Sequence, residues 1–213
     1  MEQGRAGVEQ GRAGLEQGRA GLGRAGVEQG RAGVEGAGRD DVGVRVIVLA
    51  DTHAPRRWRS CPPAVAEQLR GADLILHAGD VCTAATLDEL AGYAPVRAVL
   101  GNNDGPDVAA WGAPEMLQLD LGGLSVAMLH DSGPAAGRPA RMRRRFPAAD
   151  LVIFGHSHIP LDHAENGQRI FNPGSPTDRR RQPRGTLGVL HIDHGRLRSA
   201  EIIAVTPPPA SAG

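Results

Sequence analysis

Asp51-Thr52-His53 puts a carboxylate and an imidazole two positions apart, directly after an apolar run over residues 44–50. Carboxylate oxygen is a hard ligand and imidazole nitrogen a borderline one; together they suit manganese, iron or zinc. Taken alone the pattern is weak, because a capping Asp beside a surface His is the commoner arrangement. Four later apolar runs, however, end in Gly79-Asp80, Gly101-Asn102-Asn103-Asp104, His130-Asp131-Ser132-Gly133 and Gly155-His156-Ser157-His158. Chance supplies one or two such endings, not five in series. Asp51, His53, Asp80, Asn102, His130, His156 and His158 together offer enough donors for two metal ions with one shared carboxylate.

For these side chains to meet, the apolar runs must be strands whose ends collect in one place. Residues 44–50, 73–77 and 96–100 are short runs bounded by turn signals, the pattern of strands buried on both faces. A helix is expected over 62–70, opened by Pro62-Pro63 and stopped by Gly71, and another over 84–91. This alternation predicts a parallel α/β unit with right-handed crossovers, and ligands in such sheets gather at the carboxyl ends of the strands. The second half differs. Runs over 116–121 and 124–129 flank Gly122-Gly123, a hairpin signal. A strongly basic helix is expected over 137–145 and a buried strand over 151–154. Short strands follow over 161–164 and 168–171 across Asn166-Gly167, and a closing hairpin over 187–193 and 197–205.

The 213 residues suffice for one good-sized domain or two small ones. A net charge of +0 and a pI of about 7.1 give no overall field that selects nucleic acid or an anionic membrane. Aromatics at 3% argue against base-stacking platforms. Cys61 and Cys82 form no disulfide or zinc pattern. No apolar run reaches bilayer-spanning length, and the start lacks a secretory apolar segment. The expected location is the cytoplasm, without a membrane or long nucleic-acid partner.

Residues 1–41 carry a repeat of the Glu2-Gln3-Gly4-Arg5-Ala6-Gly7-Val8 type. One large apolar residue and two glycines per seven make no coiled-coil seam, and each glycine costs a helix about 1 kcal/mol. The expectation is a disordered tail over 1–41, a folded domain over 42–206 and a frayed tail over 207–213. The abrupt onset of folded patterning suggests that the repeat is translated upstream sequence, with the native start near Val42 or Val44.

The spaced set of five strand endings resembles the calcineurin-like metallophosphoesterases, in particular the small YfcE-type bacterial and archaeal phosphodiesterases. The likeness spans about 44–205 and includes Asn172-Pro173-Gly174-Ser175. It implies an α/β (α+β) fold, a two-sheet β-sandwich flanked by helices in αββα order. It assigns Asp51, His53 and His158 to one metal and Asn102, His130 and His156 to the other, with Asp80 bridging. Two cations about 3.5–4 Å apart clamp a phosphoryl group and lower the pKa of a bridging water, whose hydroxide attacks phosphorus in line. The implied cofactor is two divalent ions, manganese first, with nickel, iron, zinc or magnesium as alternatives. The implied partner is a small phosphoester, with a homo-oligomer open.

This chain departs from the family in two places. Where much of the superfamily has His after the ligand Asn, Asn103 stands here, and an amide cannot protonate a leaving alkoxide at neutral pH. His130 is followed by Asp131, either a carboxylate that orients an imidazole or, the reading preferred, a loop acid. Catalytic roles are expected for Asp80, Asn102, Asn103 and Asp104, the last orienting the Asn103 loop or a water. Asn103 and Arg179, or a neighbour in the Arg179-Arg180-Arg181 run, are candidate substrate contacts. Cys82 reads as a buried small hydrophobe, and Arg143-Arg144-Arg145 as a solvated face. His77 reads as packed, and His163, His191 and His194 as surface residues. Three functions compete: a phosphodiesterase, a non-catalytic scaffold of the retromer-subunit kind, and a nucleotide phosphohydrolase. Scaffolds of that kind lose ligands, whereas this chain keeps all seven.

Overall fold

The computed structural model describes residues 43–206, so the expectations for 1–41 and 207–213 lie outside the described residues. Fourteen elements follow in order. The first half runs β1 (Val44–Leu49), α1 (Pro63–Leu69), β2 (Leu74–His77), α2 (Ala84–Ala91), β3 (Val96–Ala98) and α3 (Pro106–Trp111). The second runs β4 (Met116–Leu121), β5 (Leu124–Leu129), α4 (Arg138–Arg145), β6 (Leu151–Ile153), β7 (Leu161–Glu165), β8 (Gln168–Asn172), β9 (Thr186–Asp193) and β10 (Arg196–Ala204).

They form two five-stranded mixed sheets, β10-β9-β1-β2-β3 and β4-β5-β6-β8-β7. Within them β1, β2 and β3 are parallel neighbours, and so are β5, β6 and β8. The alternation along β1 explains the layers. Val46, Val48 and Ala50 face the second sheet, meeting Val126, Met128, Ile153 and Phe171 in one core. Ile47 and Leu49 face outward onto Val65, Leu69, Leu87 and Leu90 of α1 and α2. On the far side Ala127, Leu129 and Val152 pack on Met142 of α4 and on Phe146. A strand with helices on one face and a sheet on the other is apolar on both, which is why β1 reads as an unbroken run. The fold is the expected α/β sandwich flanked by helices.

Two elements differ from expectation. β3 stops at Ala98, two residues early. α3 was not anticipated: it has only six residues, opened by Pro106 and closed by Gly112 in the left-handed region, too short for periodicity to show. Tertiary bonds hold it. Asp107 Oδ2 accepts the Ala84 N–H at 2.9 Å and Trp111 Nε1–H donates to Asp88 Oδ1 at 2.9 Å, both on α2. Among the described residues no helix is long and apolar enough to cross a membrane.

Candidate metal centre

All seven candidate ligands lie just past the carboxyl ends of parallel strands: Asp51 and His53 after β1, Asp80 after β2, Asn102 after β3, His130 after β5, and His156 and His158 after β6. Parallel neighbours end at the same edge, so each sheet delivers its ligands to one rim. Cross-links tie neighbouring endings within each rim. The Asp51 N–H donates to Gly79 O at 2.9 Å, the His53 N–H to Asp80 O at 3.0 Å, and the Gly155 N–H to His130 O at 3.0 Å. Between the sheets, the His156 N–H donates to Asp51 Oδ1 at 3.1 Å.

Two groups result. In the first, His158 Nε2 lies 3.4 Å from Asp51 Oδ1 and 3.3 Å from His53 Nε2. In the second, Asn102 Oδ1 lies 3.1 Å from His130 Nε2 and 2.9 Å from His156 Nδ1. Asp80 Oδ2 stands between them, 3.7 Å from His53 Nε2 and 3.4 Å from His130 Nε2. The imidazoles are aimed from behind. His130 Nδ1–H donates to Ala78 O at 2.7 Å, and His158 Nδ1–H to Asp178 O. Each leaves the Nε2 lone pair facing the centre.

The backbone bends sharply to achieve this. Asp51, His53, Asp80, Cys82, His156 and His158 all have positive φ, between 50° and 73°. For residues with a Cβ this region costs on the order of 1–3 kcal/mol each, and such residues cluster at functional sites. Glycine is required beside them. A Cβ on Gly79 would lie 2.7 Å from His130 Nδ1, and one on Gly101 would lie 2.2 Å from Asp80 Oδ1. These two glycines let strand ends approach the ligands more closely than any side chain allows.

The electrostatics of the site's own side chains are unbalanced. Asp51 is fully buried and its Oδ2 has no hydrogen-bond partner. Burial raises its pKa to about 7; the charge of His130 opposes that and the charge of Asp80 adds to it. Burial also pushes Asp80 up, but the hydrogen bond and charge of His130, with two bonds from Asn103, outweigh it and hold Asp80 well below the usual range. Burial lowers His53 and His158, keeping both imidazoles neutral and able to coordinate. Burial opposes charge on His130, yet the Asp80 contact raises its pKa above the usual value. A buried carboxylate with one orphaned oxygen, Oδ2, and its other oxygen 3.4 Å from His158 Nε2 fits a bound cation. Asp51, His53 and His158 form one cluster able to hold an ion, and Asp51, Asp80 and His130 another.

Several expectations need correction. Arg179 does not face the centre: its Nη1 donates to Gln182 O at 2.6 Å. Its neighbour Arg180, turned by a φ of 48°, reaches His156 O at 3.5 Å, and its charge bears on Asp51, His53 and His158. Asp104 lies where it can orient the loop, through backbone groups. Its carboxylate accepts the backbone N–H groups of Asp80, Cys82 and Gly101 at 3.0, 2.6 and 2.7 Å. That makes it a positioning residue that ties the β2 loop to the β3 loop. Cys82 is half-buried rather than packed in the core, with Sγ 3.7 Å from His53 Nδ1. Burial and nearby carboxylates push its thiol up to about 12, so it stays protonated. Asp131 accepts the Gly133 N–H at 2.7 Å, a loop acid as preferred. His77 is fully buried beside Thr52 Oγ1, and His163, His191 and His194 are exposed.

Asp178, which supplies the carbonyl behind His158, carried no spacing signal. It arrives with the Asn172-Pro173-Gly174-Ser175 loop, whose Ser175 Oγ–H donates to Asp51 O at 2.7 Å, while Thr177 Oγ1–H donates to Thr52 O at 2.9 Å. A groove of about 220 Å³ adjoins Asn102 and His130 and is lined also by Leu100, Met116, Leu129, Glu115, Asp131 and Arg145. A larger cavity, about 660 Å³, lies away from the ligands between α4 and the β7–β8 turn.

Residues 44–195 match the calcineurin-like phosphoesterase superfamily domain. A relative in Methanothermobacter thermautotrophicus, named "Probable metallophosphoesterase", is 34% identical over 165 residues, 76% of this chain and 92% of its own. In fold the chain is similar to Vps29 of Entamoeba histolytica complexed with Zn²⁺, at 22% identity and a TM-score of 0.61 over 76% of this chain and 100% of that one. It is also similar to an archaeal phosphodiesterase, at 18% identity and a TM-score of 0.59 over 75% and 100% of the respective chains. Candidate ligands at strand ends, two facing sheets and this match over residues 44–195 agree: the chain belongs to the calcineurin-like phosphoesterase superfamily.

Proposed function

We propose that this protein is a phosphodiesterase that works with two divalent metal ions, manganese first among them. The observation that carries the reading is the place of Asp80 Oδ2, within 3.7 Å of an imidazole nitrogen from each ligand group. Asp51, His53 and His158 would hold one ion, Asn102, His130 and His156 the other, and Asp80 would be shared. When bound, such a pair supplies Lewis acidity to the phosphoryl oxygens and lowers the pKa of a water so that it is a nucleophile at neutral pH. The chain's own residues do the rest. Ala78 O and the Asp178 carbonyl orient His130 and His158. Asn103 and Asp104 hold Asp80 from the side chain and from the backbone. The groove beside Asn102 and His130 gives the ester group an apolar wall.

The scaffold reading, raised by the likeness to Vps29, fits less well, because this chain keeps a full set of seven converging donors. The test is a chelated preparation assayed on bis(p-nitrophenyl) phosphate, monoesters and cyclic nucleotides with graded Mn²⁺, alongside metal analysis. We expect hydrolysis of the diester, restored in step with about two ions per chain. Full activity with a single ion would overturn the two-metal form, and metal binding without hydrolysis of any ester would favour the scaffold.

A further inference from the structure

The rim of the centre on the His53 and His158 side carries a concentration of arginine that the net charge hides. Arg56, Arg57 and Arg59 lie on the loop after His53, and Arg179, Arg180 and Arg181 on the loop after Ser175; all six are exposed. The two runs are far apart in sequence and are brought together. Thr177 Oγ1–H donates to Thr52 O, 125 positions away. Arg57 Nε lies 3.8 Å from Asp178 Oδ1, and the other oxygen of that carboxylate lies 3.8 Å from His158 Nδ1. Arg180 reaches the backbone oxygen of His156 at 3.5 Å. Among the described residues, Arg56, Arg59 and Arg181 have no hydrogen bond or ion pair.

This differs from Arg143-Arg144-Arg145, where consecutive arginines on a helix face solvent in the ordinary way. Here two loops that meet beside the candidate ligands carry six exposed arginines, with Arg57 against Asp178 and Arg180 at His156 O. The scissile group does not need them. Two divalent ions against Asp51 and Asp80 already leave positive charge for a phosphodiester, which carries one negative charge. Arg57 and Arg180, with exposed arginines beside them on the same two loops, are surplus to that group and match a second one. Guanidinium forks suit phosphate, with charge-assisted hydrogen bonds stronger than neutral ones.

We propose that the arginine rim, led by Arg57 and Arg180, binds a second phosphate on the substrate, so that the preferred substrates are small phosphoesters with an additional phosphate group. The inference rests on the phosphodiesterase reading for the identity of the scissile bond. The rim itself is independent of it.

The test has a binding arm and a kinetic arm. The metal-loaded full chain is titrated calorimetrically with thymidine 5′-monophosphate and with thymidine 3′,5′-bisphosphate. We expect the bisphosphate to bind about tenfold tighter or more. The advantage should shrink as salt rises, and should fall below about threefold in the Arg57→Gln/Arg180→Gln double variant, whose exposed positions permit folding, checked by melting temperature. In the kinetic arm, thymidine 5′-(p-nitrophenyl phosphate) is compared with its 3′-phosphate. The pair shares the scissile bond and leaving group, and the added phosphate should lower KM by a similar factor in wild type and not in the variant. Equal affinity for the two nucleotides in wild type, or an advantage that survives the double substitution, would overturn the proposal. Tighter bisphosphate binding with no cleavage of either ester would instead uphold the rim and sink the phosphodiesterase reading.

Discussion

The side-chain amide of Asn103 donates to Asp80 Oδ2 at 2.7 Å, while its backbone N–H donates to Oδ1 at 2.8 Å. One residue therefore grips both oxygens of the carboxylate at the middle of the centre. The amide is a donor that keeps its proton, which suits holding Asp80 and does not suit protonating a leaving group. Aryl leaving groups such as p-nitrophenolate depart without a proton; alkoxides benefit from one by about 10²–10⁴-fold when an acid is positioned. We expect fast hydrolysis of activated aryl diesters and slow hydrolysis of alkyl phosphates. Asn103→His should narrow that gap. Rates across leaving groups of graded pKa check it, and an unchanged slope with intact metal content would remove Asn103 as the cause.

Asp104 acts through the backbone. Asp104→Ala strips acceptors from the N–H groups of Asp80, Cys82 and Gly101. The expected loss of stability is about 2 kcal/mol or more, given that hydrogen bonds to charged groups contribute about 1.5–3 kcal/mol. Metal affinity should fall about 10–100-fold, as for other residues that orient ligands. Chemical denaturation and metal titration measure the two separately. A stability loss with metal affinity unchanged would show that Asn103 alone positions Asp80.

Metal removal should expose the charge on Asp51. Its folded pKa of about 7 lies above the ordinary value of 3.8. The stability this group contributes is therefore fully present below pH 3.8 and is lost as pH rises through about 7. In chelated protein, Asp51→Asn should gain melting temperature relative to wild type over that window, because the amide cannot ionise. The buried His77, pushed down to about 3, affects both proteins alike and cancels in the difference. With metal restored the order should reverse. A melting difference that stays flat with pH would show that Asp51 is not strained by its charge.

Asp80→Ala should lower metal content and turnover more than alanine at any of the other six candidate positions, since Asp80 Oδ2 lies within 3.7 Å of an imidazole nitrogen from each group. Alanine variants at all seven, compared by bound metal per chain and by rate on bis(p-nitrophenyl) phosphate, rank the positions. An equal or greater loss at another position would argue against a shared carboxylate.

Much was legible in the sequence because it is carried by local patterns. The near-continuous apolar run in Val44–Leu49 marks a strand buried on both faces, and the acid, amide and imidazole endings mark where the strands stop. Parallel strands then oblige those endings to share a rim, and the family resemblance picks the seven candidate ligands out of them. The Gly122-Gly123 hairpin and α2 were readable for the same reason: turn chemistry and periodicity act over a few residues. What the sequence could not carry was contact between loops distant along the chain. Which arginine turns inward depended on the left-handed backbone at Arg180, a conformation set by the packing of its loop on Asp51 and Thr52. The roles of Asp104 and Asp178 lie in backbone groups they meet or supply across the fold, and α3 is held by bonds to α2 rather than by its own periodicity. The charge of the rim is also a tertiary property. Two arginine runs that are unremarkable alone, in a chain of net charge +0, become one cationic surface when Thr177 bonds to Thr52.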